Sequence, residues 1–372
     1  MPRFILLVSA FLVLFSVQLS PVHAAPPTKA EMQARAEAIK AARNIKVTRF
    51  ITQLEGDDLA LRTQAATALG KIGRKAARAV PALSEALKTE NSELRLEVMF
   101  ALYRIGTPAA GATPDLIALL DAPVKDIRIA AIQTLGRLGE KAVPDLVAAL
   151  SDTSLNVREN ALLAISRIGF QATAAVPTLI SLLNDKNAST RALALGTLDR
   201  IGTKAASATP AITEMLSDSS PQVRARAAHA LGRFGAQAAQ SIPALTKVLN
   251  DTDYSVRAEA AFALSQLGGS ADLVLTPLLD LMNDQNWEVR SRAATALMKF
   301  GTAAMPALFK ALNASKDGQR QGEMIQLINT IGPPVPEDSV AVVRDMLNHP
   351  SDQVQHFARV VLSHLEGGSP QQ

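Results

Sequence analysis

The chain has 372 residues, 48% of them hydrophobic but only 4% aromatic, with no cysteine and a formal charge of +4. The missing cysteine excludes disulfides, thiolate metal sites, a cysteine nucleophile and a lipid anchor on cysteine, and so small a charge does not demand a nucleic-acid partner. Apolar content carried by Ala and Leu suits closely packed helices and fits β-sandwiches badly.

In chain order, residues 1–24 come first and read as a secretory signal peptide. Arg3 gives a short basic start, Phe4 to Val17 is an apolar run, and Val22 and Ala24 supply the small residues of a cleavage site. The run is about six residues short of the roughly 20 that a membrane span needs. Cleavage after Ala24 would therefore leave a periplasmic or secreted protein that does not span a membrane. Losing Arg3 takes its formal charge from +4 to +3. Thr28 and Glu31 then have capping-box spacing and open a charged N-terminal capping helix within 25–45.

From residue 46 to 366 one unit recurs. Its arginines are Arg62, Arg95, Arg128, Arg158, Arg191, Arg224, Arg257 and Arg290, spaced 33, 33, 30, 33, 33, 33 and 33 residues apart. Eleven residues after each stands a glycine, from Gly73 to Gly301. Offsets +3, +7 and +10 from the arginine are apolar in all eight units, as at Ala227, Leu231 and Phe234, which paints one stripe on a helix. Ala at +3 and +6 lets neighbouring helices approach closely, and the glycine ends the helix in the left-handed conformation. Prolines from Pro81 to Pro306 mark the first turn of a shorter helix before each of the later stripes.

One such pair of helices, A then B, cannot bury its stripe alone, so the units must stack. The predicted fold is an all-α solenoid, a superhelix of about ten stacked antiparallel helix pairs. The intervals Gly139–Pro144 and Gly301–Pro306 are three residues shorter than Gly169–Pro177, a cut in the connector before helix A. The ninth and tenth units carry Gln321 and Gln355 where arginine is expected, as terminal units can. Residues 367–372 read as a disordered tail.

The pattern resembles HEAT repeats, in the short bacterial subclass shared with phycobilin lyases. The residues that carry the likeness are Asp152/Arg158, Asp185/Arg191, Asp218/Arg224, Asp251/Arg257 and Asp284/Arg290, each an Asp-(x)5-Arg pair, with the Ala-Leu-Gly-x-Ile-Gly endings. The resemblance implies an Asp–Arg ladder between repeats, into which Arg62, Arg95 and Arg128 would also fall. It implies little about activity, since the fold serves scaffolds, adaptors and a few enzymes.

No catalytic constellation appears. There is no His-Glu dipeptide for a di-iron site, no phosphate loop, no nucleophile elbow and no zinc motif. His356 and His364, eight residues apart, lie about 12 Å apart along a helix, too far to share a metal. The chain therefore reads as a non-enzyme without a cofactor.

A basic row stands at +9: Lys71, Arg104, Arg137, Arg167, Arg200 and Arg233, followed by Gln266 and Lys299. A cation in a last helical turn offsets the macrodipole by roughly 0.3–1 kcal/mol, which alone can account for the row. The second reading is attraction of an acidic partner. On the same face lie Phe100, Leu163, His229 and Phe262 at +5, with Arg226 and Arg292 at +2. Exposed Phe and Arg together suit a contact surface. The function expected is a non-catalytic protein-interaction scaffold of the cell envelope. It would bind a protein with an acidic surface along helix B, which lines the concave side in the family it resembles. A phycobilin-lyase-like or assembly-factor enzyme is one alternative, and a binder of acidic glycan or nucleic acid is the other.

Overall fold

The computed structural model describes residues 28–269, 271–332 and 339–365. The signal peptide, its cleavage site and the expected tail lie outside the described residues. The chain divides into two compact units, residues 1–49 and 50–372.

In the first unit the described part is one helix, Lys29–Leu54, which runs on into the second. Its start is the expected capping box: the Thr28 amide donates to Glu31 Oε2 at 2.8 Å, and the Glu31 amide to Thr28 Oγ1 at 3.3 Å. Nothing breaks this helix at residue 45, so the expected boundary between capping helix and first repeat is not an interruption. The stretch contains no Gly or Pro to end it.

The second unit repeats the pair. Its B helices, among the described residues, are ten of 14 residues each, from Leu59–Ile72 and Ser92–Ile105 to Gly318–Ile331 and Asp352–Leu365. We number the repeats 1 to 10 by these helices. Side chains of Asp58, Asn91, Ser154, Asn187, Asp253, Asn286 and Asp317 accept the first free amides of their helices. The stripe is buried as its spacing predicts, with Ala227, Leu231 and Phe234 at 0–2% exposure.

The glycines end these helices differently from expectation. Gly202 has the predicted positive φ of 75°, but its ψ is −149°, outside the left-handed helix. That region is essentially glycine's alone. The cause lies in the connector, because the chain enters a 3-10 turn at once, Gly202–Ala208, instead of reversing. This connector is seven residues long, against four in Gly139–Ala142 and Gly301–Ala304, so the two shortened units are short where the sequence says they are.

Prolines open the short A helices, as at Val80–Ala86 and Val176–Leu182. Pro277 departs from this rule and sits inside Ala271–Asp280, because that helix begins before the proline instead of after a 3-10 connector. Each B helix packs against the B helix of the next repeat, so equivalent positions form rows along the stack.

Candidate protein-binding surface

The ladder is real but shorter than expected. Arg191 donates from Nε and Nη2 to the two carboxylate oxygens of Asp218, both at 2.7 Å, and from Nη1 to the Asp185 carbonyl at 2.8 Å. Arg224 does the same with Asp251 and the Asp218 carbonyl, and Arg257 with Asp284 and the Asp251 carbonyl. Each guanidinium thus clamps its own turn and the turn of the next repeat. Burial pushes the carboxyls of Asp218, Asp251 and Asp284 up, but bidentate arginine, a backbone amide and a second guanidinium together outweigh it. All three are held below the usual carboxylate range.

Four of the expected rungs are missing. Among the described residues Arg62, Arg95, Arg128 and Arg158 bond only backbone carbonyls, those of Leu54, Leu87, Ala122 and Asp152 among them. Thr89 and Ala122 stand where Arg62 and Arg95 would need a carboxylate. Asp152 follows Arg128 by 24 residues, not the 27 of the formed rungs, because the connector between them is short. Arg158 and Asp185 have the right separation but form no rung among the described residues. Asp152 and Asp185 accept the amides of Ser154 and Asn187, just as the aspartates of the formed rungs accept those of Ser220, Asp253 and Asn286.

Beyond Arg257 the rungs change chemistry. Repeat 9 has Ser315 at the aspartate position, and Arg290 turns to Glu323 on the next B helix, at 2.9 and 3.1 Å. Between repeats 9 and 10 Gln321 replaces the arginine and His349 the aspartate, 3.1 Å apart, while His349 Nδ1 accepts the Ser351 amide. Gln321 and Gln355 still donate to the carbonyls of Ser315 and His349, the backbone half of the arginine's task.

The +9 row is exposed in full, Lys71, Arg104, Arg137, Arg167, Arg200 and Arg233 included. Three of these side chains face position +8 of the preceding repeat. Arg137 lies 5.8 Å from the Tyr103 ring, the Arg167 side chain covers Gly136, and Arg233 meets Asp199 at 3.3 Å. Arg104, Arg167 and Arg200 have no carboxylate partner among the described residues.

A second rule joins +5 to +2 of the next repeat. Thr67 donates to Glu97 at 2.7 Å, Arg226 reaches over Gly196, His229 bonds Glu259 at 2.9 Å, and Arg292 lies 5.2 Å from the Phe262 ring. His229 also stacks on Phe262, with centroids 5.4 Å apart at 16°. Phe262 is therefore half-buried between the His229 ring and the Arg292 guanidinium, whereas Phe100, at the same offset in repeat 2, is 46% exposed. Arg226, His229, Asp199 and Glu259 line a groove of ≈ 410 Å³ with Gly196 and Gln222. Sequence reasoning singled out neither acid of this groove, nor exposed Tyr103 and Phe170.

The Glu259 hydrogen bond raises the His229 pKa above its ordinary value, against burial, which lowers it. A raised histidine pKa gives stability that is fully present below the unfolded value and lost as pH rises through the folded one. NMR titration should therefore find His229 above about 6.5, and Glu259→Gln should bring it down. A His229 titration unmoved by that change would refute the contact.

Residues 47–113, 113–176, 208–275 and 242–329 match the family model for HEAT repeats. The chain belongs to the HEAT-repeat family. Among solved structures, this HEAT-repeat chain is similar to the Kap95:Nup1 complex (14% identity, TM-score 0.55, covering 89% of this chain and 54% of that one). It is also similar to yeast importin-beta, Kap95p (14% identity, TM-score 0.51, 88% and 53%). An engineered protein aligns over 87% of this chain and 100% of its own at 22% identity and a TM-score of 0.47. The chain spans about half the length of importin-beta, and at these identities the likeness shows the fold alone. No curated protein matches the sequence.

Proposed function

We propose that this protein is a non-catalytic scaffold of the cell envelope that captures a partner protein by an acidic surface on the B-helix face. The observation that carries the reading is the +9 row: six consecutive repeats present an exposed cation, and Arg104, Arg167 and Arg200 have no carboxylate beside them among the described residues. Each cation offsets its own helix dipole, and because equivalent positions stack, the exposed row also focuses an acidic partner. HEAT solenoids are commonly interaction scaffolds, and one protein of similar fold is solved as a complex with Nup1. The envelope location rests on the sequence of residues 1–24.

The test replaces Arg104, Arg137, Arg167 and Arg200 by Gln, the residue native to this row at Gln266. The control replaces Arg62, Arg95, Arg128 and Arg158 by Gln, which removes equal charge and keeps the carbonyl contact that Gln321 and Gln355 make. Proximity labelling in the native envelope should lose its principal labelled protein in the first variant and keep it in the second, both folded by circular dichroism. Unchanged labelling by the first variant would sink the proposal. Binding that collapses steeply with salt whatever the partner would point to a general polyanion binder instead.

A further inference from the structure

The free part of the basic row has a definite length. Among the arginines of the row Arg233 is held by Asp199, whereas Arg104, Arg137, Arg167 and Arg200, in repeats 2 to 5, face no carboxylate among the described residues, and Lys71 of repeat 1 extends this free stretch by a further cation. Each sits one helix further along the stack, and axes of packed helices lie about 8–10 Å apart, which sets the mean interval of the row. Two exposed aromatic rings stand at the same ends of these helices. Tyr103 has Arg137 at one face, and Phe170, 61% exposed, has Lys204 Nζ 5.3 Å from its centroid.

A linear ligand that satisfies four such cations must repeat its charge at the same interval. Same-side carboxylates of a β-strand recur every two residues, about 6.8 Å, and fall out of step within the four positions. An α-helix reaches the interval only at every seventh residue, about 10.5 Å, and turns its other carboxylates away. Polyproline II has three residues per turn at 3.1 Å each, about 9.3 Å, with every third side chain on one side. Its proline rings also suit exposed aromatic faces.

We infer that the partner docks through an extended acidic segment of polyproline-II form, with a carboxylate at every third residue, laid across repeats 2 to 5. The inference rests on the reading of the +9 row as a docking surface. Its probe is a fluorescent twelve-residue peptide of four Glu-Pro-Ala triplets, measured by anisotropy against the purified protein at about 0.15 M salt. Two isomers of the same composition accompany it, one with its glutamates at alternate positions and one with them consecutive.

The triplet peptide should bind at least tenfold tighter than either isomer, and the fourfold Arg→Gln variant should lose that preference. Equal binding of all three isomers would overturn the inference in favour of unregistered attraction. Preference for the alternating isomer would replace it by a strand. Failure of every peptide, with labelling of the native partner still dependent on the row, would reject the extended segment and leave the proposed function standing. Displacement of the peptide by polygalacturonate at lower concentration than by the unlabelled peptide would reassign the surface to an acidic glycan.

Discussion

Arg224→Ala should cost about 3 kcal/mol, the loss expected when one partner of a buried pair is removed. The substitution takes away both bonds to Asp251 and the clamp on the Asp218 carbonyl. Asp251 would be left desolvated, since the pair's side chains are only 15% and 10% exposed. Arg158→Ala occupies the same offset in its helix and removes only carbonyl contacts, so it should cost within about 1 kcal/mol. Urea midpoints of the two variants measure the contrast. Acid adds a second signature. The lowered carboxyls of Asp218, Asp251 and Asp284 give stability that is present above the unfolded value, about 4, and lost as pH falls through the folded value. The gap between wild type and Arg224→Ala should therefore close in acid. Equal losses from Arg224→Ala and Arg158→Ala at neutral pH would show that the carboxylate rungs do not hold the stack.

That contrast also marks where the sequence was legible. The repeat, its short connectors and its buried stripe all depend on local spacing, so Arg62 to Arg290 and Gly73 to Gly301 sufficed to place the helices. The ladder was legible only in kind. An Asp six residues before an Arg says that both belong to one turn, but the rung joins the Arg to the Asp 27 residues later, in the next repeat. Whether it forms depends on the intervening connector and on what the next turn holds, as Thr89, Ala122 and Ser315 show. The surface obeyed the same logic. The partner of His229 was not legible because Glu259 stands 30 residues away, at +2 of the next repeat. The +5 to +2 and +9 to +8 relations needed the packing register of the helices, which helix periodicity alone does not contain. Once that register is known, Glu259 and Asp199 can be read directly from the alignment of the repeats.

The same register decides what glycine does at +8. Gly232→Ala should destabilise by about 2 kcal/mol, even though alanine is the better helix former by about 1 kcal/mol. A Cβ at Gly232 would stand 2.8 Å from Ala263 Cα, 3.2 Å from Ala263 Cβ and 3.3 Å from Phe262 Cε1. The nearest of these is backbone, so the B helices of repeats 6 and 7 would have to separate. Separation falls on the pair of repeats joined by Arg224 and Asp251, whose bidentate geometry tolerates little displacement. It also moves Phe262 from beneath His229 and Arg292, so the stacked cluster should loosen with the rung. Gly322→Ala is the opposing case. Its Cβ would meet only Val354 Cγ2, at 3.3 Å, and a methyl group can yield. There the propensity gain should win, raising stability by up to about 1 kcal/mol. Opposite signs for two Gly→Ala changes within B helices, read as urea midpoints, would establish that helix contact at Gly232 sets the spacing of the stack. A neutral or stabilising Gly232→Ala would mean that the repeats can part there freely, and that the ladder alone fixes their separation.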